Sequence, residues 1–330
     1  MTLSDLPIQD PLRDARRALR RGRFREGLRL LERTEADVTG TAEWMLLHAM
    51  ASWRVGRFRD SHASAHRALA AFRDRIDLDG EMRTANVAAA GAFALGRLAE
   101  AREGFERASA LAHQLDDTLM AARCANNLGN VAYYVGNHEE ALTLYNQATN
   151  LFAQTGSLRG TAEARHNMGV VLCELRRALD AQPAADRAID IAERLGDERV
   201  LGWALGGRAE VDALLGDRRL AAVKATRSRD LAREHDDPLT EVDALRVLAV
   251  AARLDGRGQD AVQRARAARD RAVDAGNPFV IAKCQIELGE CEALAGNHER
   301  AAEAWAAAAA TFEAIGAPPR AAAARRRIGG

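Results

Sequence analysis

Proline is scarce in this chain, with seven in 330 residues. No Ser/Gly-rich stretch or charge block divides it either, so nothing marks a seam between two domains. Aromatic residues make up only 5%, whereas hydrophobic residues reach 48% and alanine is abundant. That balance suits closely packed helices and disfavours a β-rich fold. A surplus of either charge is also missing, because 47 basic residues face 47 acidic ones. The cancelled charge argues against a nucleic acid or a membrane surface as partner, since both need a clustered cationic face. The run from Arg325 to Arg327 is too short to change this and reads as a solvated helix end. No apolar run approaches the ~20 residues of a membrane span, and no basic start precedes an apolar stretch. Four cysteines (Cys124, Cys173, Cys284, Cys291) show no CxxC spacing. They read as small buried fillers in a reducing compartment, which points to the cytoplasm.

Catalytic signatures are absent too. There is no Gly-x-Ser-x-Gly elbow, no phosphate-binding glycine loop and no HExxH helix. Neither an enzyme nor a cofactor is expected. His62 and His66 stand four apart in a helical stretch and could chelate zinc. The sequence offers no evident third ligand, so they read as half-exposed helix histidines and no metal is expected.

What the chain does have is a period. Gly22, Gly56, Gly96, Gly136, Arg176, Gly216, Gly256 and Gly296 open similar turn phrases, first 34 residues apart and then always 40. A second phrase recurs at Asp116-Asp117, Gly156-Ser157, Gly196-Asp197, Asp236-Asp237, Gly276-Asn277 and Gly316-Ala317. Glycine there can end a helix in the left-handed conformation, and the Ser, Asp or Asn that follows can cap the next one. Pro238 and Pro278 follow such caps at a position where a helix tolerates proline. Each unit is therefore two helices and two short turns.

Small residues recur at three fixed offsets from the turns. Seven before stand Ala15, Ala49, Ala89, Gly129, Gly169, Ala209, Ala249 and Gly289. Five after stand Gly27, Ser61, Ala101, Ala141, Ala181, Ala221, Ala261 and Ala301. Twelve after stand Thr34, Ala68, Ala108, Ala148, Ala188, Ser228, Ala268 and Ala308. Helices approach closely only where side chains are small, so these columns set where each helix meets its neighbours.

These offsets, with phrases such as Asn127 through Ala141, resemble the tetratricopeptide repeat (TPR) family over about residues 8 to 316. HEAT repeats share the length but not this Gly/Ala pattern. The resemblance implies an all-α, right-handed α-solenoid of about eight TPR-like helix pairs, one domain over 8–316. A short C-terminal capping helix and tail would follow at 317–330, with Arg320 and Arg325 to Arg327 keeping its outer face wet. Residues 1 to 7 carry no readable structure, and a first repeat near Ile8 leaves no room for a preceding domain.

In such an array the first helix of each pair lines the concave side. Inward positions then hold Arg83, Asn86, Phe93, Arg123, Asn126, Asn127, Asn130, Tyr133, Tyr134, His166, Asn167, Trp203, Glu210 and Arg246. Asn can pair with a peptide backbone, Arg can fork onto a carboxylate, and Tyr and Trp anchor interfaces. The stretch Arg123 to Asn130 is similar to the first helix of long-repeat polarity adaptors, whose Arg and Asn grip acidic, extended partners. The chaperone-tail carboxylate clamp fits worse, because Asn126, Trp203 and Gly207 stand where basic residues are needed. A peptide centred on repeats three to six is expected.

The leading expectation is a scaffold or adaptor that holds a protein or peptide partner in its concave groove. The alternative is a regulatory receptor for a short signalling peptide, acting through a separate effector. Gly202, Gly206 and Gly207 admit a close neighbour on one helix face, either a ligand or another helix. Partner identity and oligomeric state are not written in these patterns.

Overall fold

The computed structural model describes residue 10 and residues 12–329. The expected start of the first repeat near Ile8 lies outside them. Among the described residues every regular element is a helix, and they fall into two compact units, Met1–Asp117 and Thr118–Gly330. The first unit holds α1 (Arg13–Arg20), α2 (Phe24–Glu32), α3 (Ala36–Thr39), α4 (Ala42–Arg54), α5 (Phe58–Asp74), α6 (Leu78–Ala94) and α7 (Leu98–Gln114). The second holds α8 (Thr118–Val135), α9 (His138–Gln154), α10 (Leu158–Glu174), α11 (Ala178–Leu195), α12 (Glu198–Leu215) and α13 (Arg218–Glu234). It continues with α14 (Pro238–Leu254), α15 (Gly258–Ala275), α16 (Pro278–Leu294), α17 (His298–Ala314) and α18 (Pro318–Arg326). Each unit is an all-α solenoid of packed antiparallel helix pairs.

The turns close as the sequence implies. Beyond the first helix of each pair, the Arg57 N–H bonds the Ser52 carbonyl at 2.8 Å and the Asn137 N–H bonds the Ala132 carbonyl at 2.8 Å. This bond to the carbonyl five residues back is the helix-ending motif that wants a left-handed residue just before the donor. Arg176 takes that place in its repeat at φ 61°, where the other turns use glycine. Ile76 does the same at the end of α5, with φ 55° and a side chain 82% exposed. A β-branched residue there costs about 1–2 kcal/mol, and it hid a turn of the second kind from the sequence pattern.

Helix starts follow suit. Asp77, Asp197, Asp237 and Asn277 accept from the N–H groups of Gly80, Val200, Thr240 and Val280 at 2.8–3.1 Å. Pro238 and Pro278 sit in the first turns behind such caps. Ser157 departs from the expectation, since its side chain makes no cap bond.

Every residue of the three small columns is buried except Thr34. Its exception has a plain cause: α2 stops at Glu32, so twelve residues past the turn the helix has already ended. The first interval of 34 residues marks a shorter pair, bridged to the next by α3. Elsewhere the columns let large side chains fill the space between layers. Phe72 and Phe152 recur at one offset and lie directly over Gly80 and Gly160, where any added methyl group would strike the ring.

Candidate functional site

In the second unit the first helices of successive pairs, α8, α10, α12, α14 and α16, turn one face toward a common axis. The curl is tight enough for the terminal helix α18 to pack against α8. Gly136 makes the approach possible: at φ 100° it ends α8 with no side chain, and Pro319 and Arg320 stand 3.4 Å from where a Cβ would lie.

Arg320 fastens this closure. Its Nη2 donates to the Tyr133 carbonyl at 2.6 Å, and its Nε to the Tyr134 carbonyl at 3.0 Å. Both carbonyls belong to the last turn of α8, where partial negative charge collects and free acceptors remain. Nη2 also reaches Glu174 Oε2 at 3.1 Å. The guanidinium lies over the rings of Tyr133 and Phe279, 4.7 and 4.9 Å from their centroids. The sequence placed Arg320 on a wet outer face; its side chain is in fact only 11% exposed. An exposed helix end is the ordinary place for arginine, but α18 meets the open end of α8 and a buried carboxylate, which together hold the charge.

Around Arg320 stands an aromatic cluster. Tyr134 stacks on Phe279 at 3.6 Å, and Phe312 meets the other edge of Phe279 at 5.9 Å. Tyr133 donates its hydroxyl proton to Glu174 and accepts from Lys283 Nζ at 2.9 Å. His138 Nε2 lies 3.1 Å from the same carboxylate. Burial pushes the Glu174 carboxyl up, but Arg320, Lys283 and the hydrogen bonds from His138 and Tyr133 outweigh it and hold it well below the ordinary range.

Beside this cluster is a cavity of about 510 Å³. Glu174, Glu210, Arg246, Arg253, Lys283, Glu287 and Arg320 line its interior, and Arg176, Glu290, Arg326 and Arg327 are among the residues completing its wall. Across the whole lining seven arginine and lysine side chains face four glutamates. Arg246 forks onto Glu210 at 2.9 and 2.8 Å, and Arg253 onto Glu287 at 2.7 and 3.2 Å. Arg176 and Arg326 are exposed, and no described hydrogen bond or ion pair engages their side chains.

The expected binding residues divide between the units. Arg83 and Asn86 belong to the first, and Arg83 is tied to Asp79 one turn away. The other ten belong to the second. There Asn167 donates to both Asn126 and Asn130 at 3.1 and 3.2 Å, Asn126 donates to Glu163, and Tyr145 donates to Asn130. This ladder joins α8, α9 and α10 and already uses much of the hydrogen-bonding capacity meant for a peptide backbone. Asn127 and Tyr134 also have partners, Arg246 is only 6% exposed, and Arg123 is exposed. Sequence reasoning missed Glu174, Lys283, Phe279 and Arg320. Glu174 and Lys283 occupy the same inward repeat positions as the residues it found; Glu174 was passed over on the helix that carries His166 and Asn167, and Lys283 lies in a pair beyond the stretch that was read. Arg320 lies in a helix that follows no repeat.

His166 and Trp203 pack at 4.8 Å and share a small pocket with Glu210, Arg246 and Lys283. Gly207 makes room for the imidazole and Gly206 for Ser228 Oγ, so these glycines admit neighbouring side chains. Burial drives the His166 pKa down to about 4, Asp243 and Glu210 opposing and Lys283 assisting. The folded imidazole is thus neutral while an unfolded one protonates near 6.5. Between those values the unfolded chain binds more protons, so stability is intact above pH 6.5 and is lost as pH falls toward 4. Lowering the pH from about 6.5 to about 4.5 is expected to cost the native chain about 2 kcal/mol more than His166→Gln. Urea midpoints of the two proteins at both pH values check this. Glu174, depressed in the folded state of both proteins, contributes equally to each and cancels from the comparison.

The fold and this lining define a helical-repeat solenoid with a charged, closed axis. Residues 81–154 match the tetratricopeptide repeat family model. That stretch carries tetratricopeptide repeats, and the chain as a whole shares its fold with solved repeat solenoids. Solved structures of the same fold include a Rap protein complexed with competence and sporulation factor, 14% identical, with 96% of this chain and 95% of that one covered at a TM-score of 0.66. The apo form of RapI is also 14% identical, covering 87% and 98% at 0.66. The Rap conjugation gene regulator of plasmid pLS20, in complex with the Phr* peptide, is 14% identical and covers 97% and 95% at 0.58. At such identities the likeness is one of fold. Among curated proteins, none matches the sequence significantly. No helix among the described residues is long and apolar enough to cross a membrane.

Proposed function

We propose that the chain is a non-catalytic binding module that holds an extended, acidic segment of a partner protein or peptide in the axial cavity of its second unit. The surplus of cationic side chains in that cavity carries the reading. Five of the seven are matched to glutamates, which leaves Arg176 and Arg326 at the rim to meet carboxylates from outside. A volume of about 510 Å³ suits a few residues of extended chain. Of the residues first expected to bind, Arg246 lines the cavity and Tyr133 bonds its lining residues Glu174 and Lys283. Arg83, Asn86, Arg123, Asn126, Asn127, Asn130, Tyr134, His166, Asn167 and Trp203 are not among its lining. Four buried cysteines outside any disulfide agree with a cytoplasmic setting.

A second reading is a regulatory receptor that senses a short peptide and acts through a separate effector. The contact of α18 with α8 favours it, because an acidic ligand would compete with Glu174 for Arg320 and loosen that closure. Solved structures of this fold include one in complex with the Phr* peptide.

Fluorescence anisotropy with the full chain and labelled short peptides of acidic, neutral and basic composition tests the proposal. Acidic peptides are expected to bind best, and more weakly as salt rises. Reversing both rim charges, Arg176→Glu with Arg326→Glu, is expected to weaken them at least about tenfold. Equal binding of all three compositions, or no effect of the reversal, overturns it.

A further inference from the structure

The first unit carries a cluster that the binding cavity does not involve. His62 and His66 are one turn apart on α5, so both rings project from the same face. Glu100 rises to meet them from the first turn of α7, the corresponding helix of the next pair. His62 Nε2 lies 2.7 Å from Glu100 Oε1, His66 Nε2 lies 3.0 Å from the same oxygen, and the two nitrogens are 3.1 Å apart. Three potential ligand atoms thus stand at the corners of a nearly regular triangle. We propose that His62, His66 and Glu100 form a zinc-binding site on the first unit.

Two observations carry this inference. The first is the triangle itself. Cis ligands of a divalent ion with bonds of ~2.1 Å are about 3.0 Å apart in an octahedral arrangement and about 3.4 Å apart in a tetrahedral one. The observed edges of 2.7, 3.0 and 3.1 Å lie nearer the octahedral value than the tetrahedral one, on one open face of an ion whose remaining positions water can fill. The second is proton accounting. If both Nε2 atoms carry protons, two N–H donors confront each other at 3.1 Å. If only one does, the lone pair of the other faces a carboxylate oxygen. With Glu100 ionised, no arrangement of imidazole protons makes all three contacts hydrogen bonds, whereas one shared cation satisfies all three lone pairs.

The setting favours occupancy. Gly91 of α6 lies 3.4 Å, measured from its Cβ direction, from the His62 backbone, so α6 packs closely behind α5 at that residue and fixes its position. His62 has a side chain 15% exposed, while His66 and Glu100 are 48% and 37% exposed. The site is therefore built on rigid helices yet open to an ion. Two imidazoles and one carboxylate select a borderline divalent ion such as zinc over magnesium or calcium. Arg97 Nη1 approaches His62 Nε2 at 3.5 Å. Its side chain is 56% exposed, so it has solvent to turn into when an ion enters. A second grouping, Glu198, Glu234 and His235, has one imidazole and two exposed carboxylates and lacks this donor set.

Zinc chloride titrated into the full chain, after chelator treatment and against a chromophoric indicator, tests the site. One zinc per chain with a dissociation constant in the micromolar range or tighter is expected, together with a higher melting temperature in its presence. His66→Ala and Glu100→Gln are each expected to weaken uptake at least about tenfold, while His235→Ala leaves it unchanged. Both informative side chains are substantially exposed, and circular dichroism verifies that each variant folds. Failure of the native chain to take up zinc at that level overturns the proposal. So does a His66→Ala or Glu100→Gln variant that binds zinc as tightly as the native chain.

Discussion

Arg320→Ala is expected to destabilise the second unit by about 3 kcal/mol, the lower end of the cost of leaving a buried charge without its partner. The lower end applies because Lys283 and His138 still face Glu174 after the change. Three losses add to the effect. The Tyr133 and Tyr134 carbonyls lose their donor, the aromatic cluster loses a cation over its faces, and α18 loses its polar tie to α8. A lowered urea midpoint with faster hydrogen exchange in the last turn of α8 is the expected signature. Arg320→Lys keeps the charge but not the fork, so it recovers only part of the loss. Arg325→Ala serves as the comparison, because its pair with Glu313 is more than half exposed on both sides and is worth no more than about 0.5 kcal/mol. Equal midpoints for Arg320→Ala and Arg325→Ala would show that the closure does not depend on Arg320.

Arg246→Ala is expected to cost more, about 4 kcal/mol. Its side chain is 8% exposed, it binds Glu210 through both ends of its fork, and Nε reaches Asp243 at 3.2 Å. Removing it strands two acidic groups of which only Lys283 remains as a near cation. Adding Glu210→Gln in the same chain removes the orphaned charge and is expected to restore about half of the loss. Chemical denaturation of the two single variants and the double variant measures that coupling. If the double variant is no more stable than Arg246→Ala, the pair does not hold its helices together. The size of this effect also distinguishes Arg246 from Arg176 and Arg326, which are expected to change peptide affinity and leave stability nearly untouched.

Much of this architecture is legible before any coordinates, for a physical reason. Close approach of two helices demands small residues at fixed offsets, and a demand repeated in unit after unit becomes visible as a column. Arg176 was placed at its turn because its neighbours at 40-residue spacing are glycines. Ile76 was not recognised, although it obeys the same spacing, because its residue type is wrong for the left-handed conformation it adopts. The shortened α2 was also hidden, since a threonine fits a column of small residues whether or not a helix reaches it.

The candidate sites were less legible because their contacts cross the repeat. Inward positions can be counted from each turn, and Asn126, Asn130 and Asn167 do lie together on that face. Counting cannot reveal that they hydrogen-bond one another, nor that Arg320 leaves its capping helix to meet residues 187 positions earlier in the chain. Glu100 was invisible to a search for metal ligands near His62 and His66 for the same reason. It is a helix-start glutamate in another pair, brought within reach only by the way α5 and α7 stack.

The return of α18 to α8 has a consequence for how this chain can change by duplication. An open repeat array lengthens by copying a unit, since each added pair needs only its neighbour. Here a further pair inserted anywhere between α8 and α18 would carry Arg320 beyond the Tyr133 and Tyr134 carbonyls and leave Glu174 without its cation. The number of pairs in that arc is thus set by geometry, as the number of staves is set in a hooped barrel. Variation in length has an easier outlet ahead of Thr118.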